Sequence, residues 1–125
     1  MRFSSEKPIF AQIAELLTGQ VLDGKLGPGQ RMPSARELAA SLEVNPNTAA
    51  RALQELADSG LARCERGTGY FVADKGPALA KADRKKRFFG EDLPRLFKRM
   101  DELGIEPSEI LDRFAARSGS KGVRS

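Results

Sequence analysis

Apolar positions recur at intervals of three and four residues along most of this chain, and one short region between them is punctuated like a hairpin. The first periodic stretch, residues 8–22, lines up Ile9, Ile13 and Leu16, with Phe10, Leu17 and Val21 widening the stripe, which predicts an amphipathic helix. Gly24, Gly27, Pro28 and Gly29 then break the chain into a turn, and Arg31 and Met32 follow as a short edge strand. Ser34 and Glu37 have capping-box spacing, at which a serine oxygen and a glutamate carboxylate satisfy each other's backbone amides, so a helix should start near Ser34. Glu43 and Val44 interrupt it. Asn45 can then cap a second helix whose first position is Pro46, where the missing N–H costs nothing.

On a helical wheel, Ala49, Ala52, Leu53 and Leu56 of that second helix share one face, and Asn47, Arg51 and Gln54 share the other. The apolar face is core. The polar face, with Asn45 and Thr48 at the helix start and the small Ala50 alongside, suits insertion into a DNA major groove, which displays donors and acceptors. An ordinary solvated surface has the same look, and helix–turn–helix pairs occur in proteins that never meet DNA. Gly60 stands where a C-cap glycine is expected, and residues 61–65 and 70–72 flank Arg66-Gly67-Thr68-Gly69, a turn with two glycines. This predicts a β-hairpin wing and an element order of αβααββ. Arg66, the backbone of Gly67 and Gly69, and the Thr68 hydroxyl would all approach phosphate or the minor groove unobstructed. A plain surface hairpin would need the same glycines.

In order and spacing together, PIFAQIAELL (8–17), DGKLGPGQRMPSARELA (23–39), VNPNTAARALQELADSGL (44–61) and RGTGYFV (66–72) resemble the winged-helix domain of GntR-type bacterial transcription regulators. The short remainder is similar to that of the small YtrA subfamily. This resemblance implies a dimeric DNA-binding repressor, often acting on transport genes. It implies that Arg36 contacts the DNA backbone, that Asn45, Pro46, Asn47 and Thr48 form the entry of the recognition helix with Arg51 one turn on, and that Arg66 and Gly67 carry the wing tip to the minor groove. Some members of the wider family carry arginines where this chain has Pro46 and Ala50, which implies different base contacts. The DNA-binding set is thus Ser34, Arg36, Asn45, Pro46, Asn47, Thr48, Arg51, Arg66, Gly67, Thr68 and Gly69.

Composition narrows the picture without deciding it. A chain of 125 residues accommodates one core and an appendage. No stretch approaches the roughly 18 apolar residues of a membrane span, and MRFSSEKP lacks an apolar export segment, so a cytoplasmic location without membrane contact is expected. Histidine is absent and Cys64 is the only cysteine, which rules out an intrachain disulfide and a cysteine-based zinc site, and no cofactor or metal is called for. Cys64 reads as a small strand residue or, being beside the wing, as a redox sensor. Enzymatic chemistry draws on histidine, clustered carboxylates or a nucleophile beside a base, and no such constellation is found, so the chain is expected not to be an enzyme.

The net charge is +4, yet residues 1–73 hold eight basic and eight acidic residues, so charge placement matters more than its sum. Arg36, Arg51, Arg63 and Arg66 lie in or beside the proposed binding elements, whereas Glu6, Glu15 and Asp23 belong to the first helix and its flanks. The surplus comes from the C-terminal portion, notably KADRKKR at residues 81–87, either a solvated face or a further phosphate contact.

Beyond Val72, Gly76 and Pro77 mark a boundary. Leu93, Leu96, Phe97, Met100 and Leu103 then recur at helical spacing, with Pro94 as a kink or a first-turn residue, Gly104 closes that helix, and Pro107 opens another bearing Ile110, Leu111 and Phe114. Two helices make a poor independent core, so these eight apolar residues are expected to pair with the same face of a second chain, the alternative being to fold back on the first domain. The reading is a mainly α (α+β) protein: a winged helix-turn-helix over 1–75, a helical dimerisation region over 76–117, and a small, polar, disordered tail over 118–125. It would be a homodimeric regulator, most simply a repressor, on an inverted-repeat operator. The alternative is a winged-helix module for protein or RNA contact. A small-molecule effector, if one acts, would use the dimer seam or a cleft between wing and helices.

Overall fold

Helix α1 (Ile9–Leu22) turns Ile13, Ala14, Leu17 and Val21 inwards, and the computed structural model, which describes residues 2–117, builds its core on them. The tail expected at 118–125 lies outside the described residues. The apolar side of α1 is not quite the one its periodicity suggests: Ile9 is 42% exposed, and Gln12 is buried in its place. The buried amide is satisfied, since its Nε2 donates to the carbonyls of Ser4 and Lys7 while its Oε1 accepts from the Ser4 amide, all at 2.8 Å. A polar residue can therefore enter the core without an orphaned donor.

Helices α2 (Ala35–Leu42) and α3 (Pro46–Asp58) form as their caps dictate. The Ser34 oxygen accepts from the Glu37 amide at 3.0 Å and the Glu37 carboxylate accepts from the Ser34 amide at 2.8 Å, completing a reciprocal capping box. Glu43 ends α2 in the left-handed region at φ 58°, and Asn45 starts α3 by accepting from the Asn47 amide at 2.7 Å. Helix α3 buries Ala49, Ala52, Leu53 and Leu56 against α1 and α2. Its core side is small at Ala49 and Ala52, which lets the backbones of packed helices approach closely.

Strands β1 (Ala62–Glu65) and β2 (Gly69–Val72) pair antiparallel with Ala62 opposite Val72 and Glu65 opposite Gly69. The edge strand expected at Arg31 and Met32 is present as a bridge from Arg31 to Phe71, supported by hydrogen bonds from the Met32 amide to Tyr70 and from the Val72 amide to Gln30. It is too short to be a full strand.

The chain divides into two compact units, Met1–Arg84 and Lys85–Ser125. The contact boundary lies beyond the expected one at residue 75: helix α4 (Gly76–Arg87) begins at the expected boundary, and its first two turns belong to the first unit. Gly76 and Ala80 are buried, and Arg84 donates to the Glu15 carbonyl at 2.6 Å. In the second unit, a π-helical turn (Phe88–Asp92) leads into α5 (Leu93–Leu103), with Pro94 in its first turn, and Gly104 at φ 68° ends that helix before α6 (Pro107–Ala116). Among the described residues no helix is long and apolar enough to cross a membrane.

Gly76 explains how the start of α4 packs on the first unit. A Cβ built there would stand 2.9 Å from Cγ1 of the fully buried Val72 and 3.0 Å from the Leu61 carbonyl oxygen, so only a bare α-carbon lets α4 approach the wing base. Alanine gains at most about 1 kcal/mol of helix propensity over glycine, and less in a first turn, whereas overpacking costs about 1–3 kcal/mol. Gly76→Ala is therefore expected to lower the urea midpoint of unfolding despite its higher propensity.

Candidate nucleic-acid interface

Capping and packing leave α3 with one face committed to the core and the other open. Asn45, Pro46, Asn47, Ala50 and Arg51 are exposed along it. Thr48 is half-buried and lines an open cleft of about 460 Å³ with Phe3, Ile9, Leu42 and Val44, which is also why Ile9 is not sealed. Arg51 lies over the ring of Phe10, with its Cζ 3.9 Å from the centroid. Gln54 is exposed on the outward face, as expected with Asn47 and Arg51, and is engaged there: its amide donates to Asp58 at 2.9 Å and its oxygen accepts from the Tyr70 hydroxyl at 3.2 Å. Burial, together with the neighbouring Cys64 thiol, raises the Tyr70 pKa, so the phenol stays protonated and donating. Gln54 thus ties the wing to α3.

The wing tip is a tight turn in which the Thr68 amide donates to the Glu65 carbonyl at 2.8 Å, with Gly67 at φ 77°, a conformation that costs other residues. Arg66, Gly67 and Thr68 are exposed there. Arg31 organises this tip, a role that its position in the sequence does not announce. Its Nε donates to the Thr68 carbonyl at 3.2 Å and its Nη1 stands 3.8 Å from the Glu37 carboxylate, so one side chain joins the wing to the start of α2. Gly69 makes room for it: a Cβ there would lie 3.2 Å from the Arg31 Nε, on a backbone at φ 131°.

Apart from Arg2, which is exposed near the start of the chain, the guanidinium groups of the first unit divide into two sets. Arg31 is tied as above, Arg63 pairs with Glu65 at 3.1 Å and lies over Phe71, and Arg84 is anchored on α1. Arg36 and Arg66 are exposed and, among the described residues, make no hydrogen bond or ion pair, and Arg51 makes only its ring contact. Arg63, counted above among the charges beside the binding elements, is thus partly neutralised. Ser34 is half-buried and engaged in the capping box.

Residues 10–72 match the family described as "Bacterial regulatory proteins, gntR family". The chain belongs to the GntR family. It is 36% identical over 111 residues to the HTH-type transcriptional regulator YhcF of Bacillus subtilis (strain 168), covering 89% of this chain and 90% of that one. With the HTH-type transcriptional repressor YtrA of the same organism it shares 31% identity over 106 residues, 85% of this chain and 81% of that one. A GntR family transcriptional regulator from Listeria monocytogenes has the same fold at a TM-score of 0.73 and 30% identity, covering 90% of this chain and 97% of its own. The DNA-binding domain of AraR, solved in complex with operator ORR3, superposes at a TM-score of 0.52 with 32% identity, over 58% of this chain and 90% of that one.

This GntR chain is accordingly a DNA-binding transcription regulator and not an enzyme. The winged helix-turn-helix expected from residues 8–72 is the fold observed. Arg31, Gln54 and Tyr70 were missed as organisers because their partners are distant in sequence: Arg31 reaches Thr68, and Tyr70 reaches Gln54.

The capping box makes the helix-turn-helix acid-sensitive. The Ser34 backbone N–H bonded to its carboxylate, then the Ser34 hydroxyl and the Arg31 charge, hold the Glu37 pKa below its ordinary value. A lowered carboxylate pKa stabilises the fold above the ordinary carboxylate range, and that contribution is lost as the pH falls through the lowered value. Glu37→Gln, which cannot ionise, is expected to be less stable than the wild type at neutral pH and to lose less on acidification. Comparing the two urea midpoints at neutral and acidic pH checks this.

Proposed function

We propose that this GntR regulator acts as a homodimeric repressor that reads an inverted-repeat operator with the exposed face of α3. What carries the reading is the placement of unpaired cations in the first unit. Among the described residues, Arg36 at the start of α2, Arg51 on α3 and Arg66 at the wing tip keep their hydrogen-bond donors open, while Arg31 and Arg63 are tied into the fold. Asn47 and Arg51 are the base-reading side chains, flanked by Asn45 and Pro46. Arg36, Thr48 and Ser34 serve the phosphate backbone, and Arg66, Gly67, Thr68 and Gly69 bring the wing to the groove edge. Binding there excludes RNA polymerase, in keeping with a relative named as a repressor. The similarity to the YtrA subfamily makes transport genes the first targets to examine, and cytoplasm is where such a protein would work.

Dimerisation is assigned to the second unit. Helices α5 and α6 bury little between themselves: Met100 alone is sealed, at 9% exposure, at the base of an open groove of about 530 Å³ shared with Leu93, Leu96, Phe97, Ile110 and Leu111. Met100 is thus already covered and offers little area to a partner. Phe97 at 52% and Leu111 at 66% exposure, with Leu103 and Phe114, form the face that a second copy would cover. A small-molecule effector would find its apolar cleft at that seam. Two copies related by a two-fold axis would present their α3 helices to major-groove faces about 34 Å apart or a multiple of it, which is what sets the half-site spacing.

Sequencing genomic fragments retained by the protein would supply the operator and its spacing. On that operator, Arg51→Ala is expected to lose about 1–3 kcal/mol of binding free energy and to relax preference at one base position. Wild-type binding to random duplex should weaken with salt at a log–log slope of about 0.9 per phosphate neutralised, and a flat response would favour a protein-contact role instead. Phe97→Asp should turn the dimer into a monomer in analytical ultracentrifugation. It should weaken operator binding far more than binding to random duplex, because each first unit keeps its own phosphate contacts.

A further inference from the structure

We infer that Phe10, on α1, is a positioning residue for DNA recognition: its ring holds the Arg51 guanidinium in the orientation from which that group reads a base. The inference rests on the assignment of Arg51 as a base reader. Phe10 is half-buried and packs against the core, so its ring is fixed from behind. The Arg51 Cζ stands 3.9 Å above the ring centroid, the closest of three such contacts among the described residues.

The three stacks differ in what they leave free. Arg63 over Phe71 also bonds Glu65, and Arg117 over Phe114 also donates to the Phe114 carbonyl at 3.3 Å. Arg51 makes no hydrogen bond or ion pair among the described residues, although Glu55 stands one helical turn away, at the spacing for an intrahelical pair. The difference matters physically. An ion pair with Glu55 would cancel the charge and occupy in-plane N–H donors, whereas a neutral ring engages only the guanidinium face and leaves the five donors unengaged. Stacking also removes rotamer freedom before DNA arrives, so less is lost on docking. The ring therefore acts on α3 from a helix that need not touch the operator.

The test is a double-mutant cycle on the operator duplex selected by the wild-type protein, with random duplex as the reference. Phe10→Leu should weaken operator binding about two- to five-fold, the range for an exposed cation–π contact, and leave random-duplex binding nearly unchanged. Phe10→Tyr, which keeps the ring, should bind like the wild type. In an Arg51→Ala background, Phe10→Leu should cost nothing further. If Arg51→Ala itself leaves operator binding and base preference intact, the base-reading assignment falls and this inference with it. If Arg51→Ala weakens binding while Phe10→Leu binds as well as the wild type or better, the assignment stands and positioning by Phe10 is overturned. Nuclear magnetic resonance of the unmutated protein decides the matter even if Phe10→Leu does not fold. Ring-current displacement of the Arg51 side-chain resonances should persist in the DNA complex, and its disappearance on binding would overturn the inference.

Discussion

The packing of α3 on α1 is the constraint on which the rest of this structure depends. One helix has to bury enough surface to be held rigidly and still keep a face uncovered, and α3 does so with a narrow stripe of Ala49, Ala52, Leu53 and Leu56. Ile13, Leu17 and Leu53, each nearly inaccessible, sit at the heart of that contact. A close-packed core of this kind has little freedom to shift, so the polar side chains on the opposite face of α3 inherit its rigidity. The wing is held by the same logic at smaller scale, through Gln54 and Tyr70 on one side and Arg31 on the other.

That arrangement explains how a domain with as many acidic as basic residues over positions 1–73 can address a polyanion. Three of the eight acidic groups are spent on internal ion pairs: Glu37 on the α2 cap and Arg31, Glu65 on Arg63, and Glu15 on Lys7 at 2.7 Å. Exposed ion pairs of this sort add little stability. They do fix where charge lies, because these carboxylates sit beside Arg31, Arg63 and Lys7, and among the described residues none is paired with Arg36, Arg51 or Arg66.

Local rules wrote much of this fold legibly. The Ser34–Glu37 box, the Asn45-Pro46 helix start, the Gly67 turn and the Gly104 stop each depend on residues within four positions of one another, and each formed as its residues predict. What escaped depends on distant partners. Gly76 looks like a boundary glycine until Val72 and the Leu61 carbonyl are seen beside it, and Arg84 reads as one more charge in a basic run until it reaches the Glu15 carbonyl, 69 residues away. Gln54 faces outwards as the helical wheel predicts, but a wheel assigns only a direction and cannot say that a tyrosine from the wing will meet it. The exposure of Asn45, Pro46 and Asn47 was legible because it follows from capping at a helix start. Which arginines stay free was not, because pairing is a tertiary property.

The start of α3 also dictates how such a helix must address DNA. Helix N-termini often bind phosphate through their unpaired amides, but here that inventory is spent. Pro46 has no N–H, the Asn47 amide is taken by the Asn45 side chain, and the amides of Thr48 and Ala49 go to the Asn45 carbonyl at 2.9 and 3.1 Å. A helix without spare backbone donors in its first turn offers an incoming groove only side chains. Backbone amides would hold any phosphate alike, whereas side chains distinguish one base edge from another. By closing its own terminus, Asn45 thus leaves α3 to meet DNA through side chains rather than through its first-turn amides.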